Sequence, residues 1–102
     1  MSDFSISTRY AQALMHVAVE RSSLNSISED VELIHKVLNE SKELRSVLRS
    51  PVVDEVKKER ILDEIFSKKI SGDSLSFVKL ILSKRRENLL LDISKRFLEL
   101  RD

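Results

Sequence analysis

Apolar positions recur along this chain with the three-to-four-residue period of helices from one end to the other. Start and stop signals divide that pattern into about six segments. Ser7 or Thr8 is suited to cap the first, because a hydroxyl there accepts from a free backbone N–H one turn on. That helix runs to about Arg21, where Ser22, Ser23, Leu24 and Asn25 break it. Ser26-Ile27-Ser28-Glu29 has the spacing of a capping box and opens the second helix. It continues to about Glu40, with Ile27, Val31, Ile34, Val37 and Leu38 on one stripe.

Ser41 is placed to cap a short third helix that carries Leu44, Val47 and Leu48. Ser50-Pro51 ends it, since proline lacks the N–H a helix interior needs and pushes the preceding residue into an extended conformation. Asp54 caps a fourth helix, spanning roughly residues 55–70, which buries Val56, Ile61, Leu62, Ile65 and Phe66. Gly72 sits where a helix would finish in a left-handed residue, and Asp73 follows as the cap of a fifth helix to about Arg85. The sixth runs from about Glu87 to the end, with Leu89, Leu90, Ile93, Phe97 and Leu100 turned inward.

Composition narrows the class further. A β domain of this length needs several glycines and prolines for its turns, and this chain has one of each. The expected fold is all-α: a compact six-helix bundle forming one domain over residues 1–102. A hydrophobic fraction of 41% and a charged fraction of 34% suit an ordered globule. No stretch approaches the ~20 apolar residues that span a membrane, so no direct membrane insertion is expected. Met1-Ser2-Asp3-Phe4 does not open a signal peptide.

Two helices carry more apolar surface than one core contact uses. A packed helix needs a stripe a little over ~100° wide, which the second helix roughly meets. On the first, Tyr10, Ala11, Ala13, Leu14, Met15, Val17, Ala18 and Val19 cover roughly 240°. On the fifth, Leu75, Phe77, Val78, Leu80, Ile81 and Leu82 cover roughly 220°. Either these helices lie at the centre of the bundle, or they share an exposed groove that takes an amphipathic partner helix.

Catalytic chemistry is hard to find. His16 and His35 stand on different helices without metal-ligand spacing and read as solvated surface histidines. With one glycine there is no phosphate-cradling loop, and with no cysteine there is no thiolate site. No catalytic, metal or cofactor residue is assigned. A net charge of +1 gives no broad basic field, so nucleic acid is not an expected partner. Lys84-Arg85-Arg86 is the one basic cluster; a solvated turn, a phosphate or an acidic partner residue would each suit it. Lys57-Lys58-Glu59-Arg60, after Asp54-Glu55, reads as an exposed helix face.

Two segments resemble a known family. Ser7-Thr8-Arg9-Tyr10-Ala11-Gln12-Ala13-Leu14, followed by Ala18-Val19-Glu20, is similar to the opening helix of F-type ATP synthase delta subunits and of their mitochondrial counterpart, the oligomycin-sensitivity-conferring protein. Residues Phe77 to Leu90, with Ile93 and Phe97-Leu98-Glu99-Leu100, look like that family's fifth and sixth helices and the basic turn between them. Ser50-Pro51, Lys57 and Ile61-Leu62 fall where the family has a similar middle.

The resemblance implies a non-catalytic, cofactor-free N-terminal domain that grips the N-terminal helix of an alpha subunit through its first and fifth helices. Carried over by position, the partner-binding candidates are Tyr10, Ala13, Leu14, Val17, Phe77, Leu80, Ile81 and Lys84. It implies a peripheral location at the cytoplasmic face of the bacterial inner membrane, within the ATP synthase. It also implies a C-terminal region, beyond Asp102, that meets the b subunits of the peripheral stalk. A generic helical adaptor for an unrelated amphipathic helix is the alternative reading.

Overall fold

The computed structural model describes residues 2–102, and all regular structure among them is helical. Ser2 caps α1 (Asp3–Glu20), Ser41 caps α3 (Lys42–Arg49), Asp54 caps α4 (Glu55–Phe66) and Ser71 caps α5 (Gly72–Ser83). At each, a side-chain oxygen accepts from the N–H three residues on, satisfying a donor the helix cannot. α2 (Leu24–Glu40) starts without such a bond, and a 3₁₀ turn at Glu87–Leu89 feeds α6 (Leu90–Arg101).

Ser41 and Asp54 are the caps expected from sequence; the others move. α1 begins well before Ser7, which lies buried in its interior, while Thr8 Oγ1 donates back to the Phe4 carbonyl at 2.8 Å. Ser26 is likewise inside α2, because the turn at residues 21–23 is tight enough for Leu24 to be helical already. α4 stops at Phe66, and Val56 and Leu100 are exposed, because the faces they occupy meet no other helix.

The largest correction concerns the left-handed residues. Gly72 has no positive φ and opens α5 rather than closing α4. The left-handed positions are Ser22 (φ 52°) and Arg85 (φ 57°). At the first, Ser23 N–H reaches the Ala18 carbonyl at 2.8 Å; at the second, Arg86 N–H reaches Ile81 at 3.0 Å. Both are Schellman endings built without glycine.

α6 is the central helix and packs most extensively on α1 and α2. It runs parallel to α1, since Asp3 lies beside Asn88 and Asp92 while Arg96 Nε donates to Thr8 Oγ1 at 3.2 Å. Small buried residues (Ser7 and Ala11 on α1, Ser94 on α6) let the two axes come close.

Two buried polar clusters fix the remaining helices. Asp30 Oδ2 on α2 accepts from Ser71 N–H at 3.1 Å and from the Ser71 and Ser74 hydroxyls, each at 2.7 Å, tying the start of α5 to α2. Lys58, expected on an exposed face, is only 5% exposed. Its ammonium donates to Glu87 Oε2 at 2.7 Å and to the Leu48 carbonyl at 3.0 Å, joining α4 to α3 and the 3₁₀ turn. A charge this deeply buried requires such partners.

Candidate partner-binding surface

The two flanks of α5 have different fates. On one, Lys79 Nζ lies 3.1 Å from Asp63 Oδ1 of α4. On the other, Asp73 Oδ1 lies 2.9 Å from Arg21 Nη1, just past the end of α1. Phe77, Leu80 and Lys84 follow Asp73 at spacings of four, three and four and so share its flank. Across from them, Tyr10, Ala13, Val17 and Arg21 form the matching stripe on α1.

The two stripes run antiparallel. Arg21 meets Asp73 at one end, while at the other Arg86 lines a depression with Ile6, Arg9, Tyr10 and Ala13. Between those ends α1 and α5 do not close on each other. Beneath them Leu14, Phe77 and Val78 border a small apolar cavity closed by Val31 and Ile34 of α2 and by Ile93 and Phe97 of α6. It encloses only about 10 Å³, room for one water-sized sphere, so a docked helix would lie over the shallow cleft between the two stripes rather than sink into the core.

Six of the eight candidate residues have surface to offer. Val17 is 36% exposed and Leu80 46%; Ala13 and Lys84 are also exposed, and Tyr10 and Phe77 are half-buried. Leu14 and Ile81 are corrected to core residues. Leu14 keeps 4% of its surface and Ile81 keeps none, because on α5 it falls beside Ser74 and Val78 on the buried stripe rather than on the Asp73 flank. The choice between central burial and an exposed groove therefore resolves helix by helix. α6 holds the centre, and the extra apolar arcs of α1 and α5 are split between core and cleft.

Charge is unevenly spread along the cleft. Arg9, Lys84 and Arg86 gather at one end beside the single carboxylate of Asp3. At the other, Arg21 and Asp73 offset each other, and Glu20 is 2.9 Å from His16. Sequence reasoning missed Arg9, Arg21, Asp73 and Arg86 as parts of this surface. The i, i+4 stripes on which Asp73 and Arg21 fall could have found two of them. His35 is half-buried on α2, away from the cleft. Among the described residues, no three His, Asp or Glu side chains gather as metal ligands, and no helix is long and apolar enough to cross a membrane.

Comparison with known proteins gives the family. Residues 6–102 match the model of the family described as ATP synthase delta (OSCP) subunit. The whole chain aligns with the ATP synthase subunit delta of Chlorobaculum parvum at 42% identity, covering 56% of that protein. It aligns with that of Chlorobium phaeobacteroides at 40% identity, covering all of this chain and 57% of that protein. The subunit delta of Prochlorococcus marinus is 38% identical over 94% of the chain and 53% of its own length. The chain thus spans about half the length of the curated relatives it matches. With the family model covering nearly every residue, the chain belongs to the ATP synthase delta (OSCP) subunit family.

Proposed function

We propose that this chain is a non-catalytic adaptor module of an F-type ATP synthase, and that the α1–α5 cleft docks the N-terminal helix of an alpha subunit. The observation that carries the reading is a pair of apolar stripes on α1 and α5 that pack little on each other and leave Val17 and Leu80 exposed. An amphipathic helix laid over it would bring apolar anchors at i, i+3, i+4 and i+7 against Tyr10, Ala13, Val17, Phe77 and Leu80. Tyr10 contributes apolar area with a polar tip at the edge, and Lys84 pairs with a carboxylate of the docked helix.

The role is mechanical. A rotary enzyme needs a stator that resists torque, so the contact has to be tight rather than reactive. Membership of the family supports work in the peripheral part of the complex at the cytoplasmic face of the bacterial inner membrane. Contact with the b subunits of the peripheral stalk then falls to a C-terminal region of the kind the longer relatives have length for. No cofactor enters this role.

Titration with a synthetic peptide of the alpha N-terminal helix tests the reading. Amide shifts of Tyr10, Val17, Phe77 and Leu80 should move with micromolar or tighter binding. Absence of binding at micromolar concentration would sink it in favour of a generic adaptor, and shifts confined to α2 or α4 would move the groove elsewhere.

A further inference from the structure

The cleft has a built-in direction. From Asp73 to Lys84 the α5 stripe is about 16 Å long, enough for three turns of a docked helix. α1 and α5 are antiparallel, so their own dipoles largely cancel along the cleft, and side-chain charge decides its polarity. That charge is lopsided: Arg9, Lys84 and Arg86 stand at one end, and a self-neutralising Arg21–Asp73 pair stands at the other.

We infer that the cleft selects the direction of its occupant, seating the C-terminal turn of the docked helix against Arg9, Lys84 and Arg86 and its N-terminal turn near Arg21 and Asp73. The inference rests on the docking reading above. An α-helix ends in unpaired carbonyls carrying about half a negative charge, so only this direction sets the negative end among the cations. The reverse direction brings the positive N-terminal end against the same cations and turns attraction into repulsion. The fitting partner is therefore an amphipathic helix of about three turns with apolar anchors and acidic residues in its last turn. Arg86 is favourably held for this, since the left-handed Arg85 before it ends α5 and turns the chain back beside Tyr10.

A spin-labelled alpha N-terminal peptide gives the test. With the nitroxide at the peptide's C-terminus, the amides of Tyr10, Ala13 and Arg86 should broaden most; with it at the N-terminus, those of Arg21 and Asp73 should. Arg86→Glu should weaken binding about threefold at low salt, and the loss should fade near ~1 M salt. Reversed broadening with intact binding would overturn the direction and leave the docking reading standing. Equal broadening at both ends by either label would overturn it too. Failure of the unlabelled peptide to bind would remove the docking reading and the direction with it.

Discussion

α1 meets its two neighbours in opposite ways. Against α6 it presents Ser7, Ala11 and Leu14, all buried, and the two helices run side by side with little between them. Toward α5 it presents Tyr10, Ala13 and Val17, and there the helices stand off across a cleft. Both faces are largely apolar, and they sit about a quarter-turn apart on the same helix. What separates them is the partner. α6 packs closely along α1, whereas α5 meets α1 chiefly at the two ends of its stripe. A wide apolar arc therefore divides into a buried part and an exposed part, and its width alone does not say where the division falls.

Phe97 gives the hardest blow to the closed side. It is fully buried on α6, and Phe97→Ala should remove about 3–5 kcal/mol, since a cavity opens where several helices converge. Chemical denaturation would show it as a fall in midpoint with an unchanged slope. A loss under ~1 kcal/mol would mean that the seam relaxes and is no more closed than the cleft. Ala18→Leu probes the buried stripe of α1 further along the helix. Ala18 has no exposed surface, so the larger side chain should cost about 1–3 kcal/mol by overpacking. The same change at Ala13, on the open side, should cost far less.

Much of this was legible in the sequence, and the failures have physical causes. The six helices and most of the core stripe of α2 follow from periodicity and from the Pro51 stop, which act locally. Ser41 and Asp54 cap as expected because they stand directly before a run of good helix formers. Gly72 misled because a left-handed ending tolerates Ser22 and Arg85 when the surrounding hydrogen bonds are in place, so glycine is not required for it. Lys58 misled because its partner, Glu87, is far along the chain, and no local pattern announces a buried pair across that separation. The cleft was half legible. The surplus arcs were visible, but which part of each is buried depends on where the other helices pack.

Gly72 offers a smaller and opposite effect. It lies in the first turn of α5 with a negative φ, and a Cβ added there meets nothing within 4 Å. Gly72→Ala should stabilise by about 0.4–1 kcal/mol, by restricting the unfolded chain and favouring the helix. A thermal midpoint that falls instead would place hidden strain at the start of α5, the flank on which the cleft depends.

The smallest effect on stability is expected at Leu80, and it separates the two sides of α1 most sharply. Leu80 is 46% exposed, so truncating it removes little buried area and leaves no cavity. Leu80→Ala should stay within ~0.5 kcal/mol of the parent in denaturation, in contrast to Phe97→Ala. Peptide binding should respond the other way. As a rim anchor that becomes buried only when the cleft is covered, Leu80 should lose about tenfold in affinity for the alpha N-terminal peptide. Unchanged affinity together with unchanged stability would make Leu80 an ordinary exposed leucine. A large loss of stability would make the exposed flank of α5 part of the core after all, since the loss would have to come from contacts Leu80 makes within the folded chain.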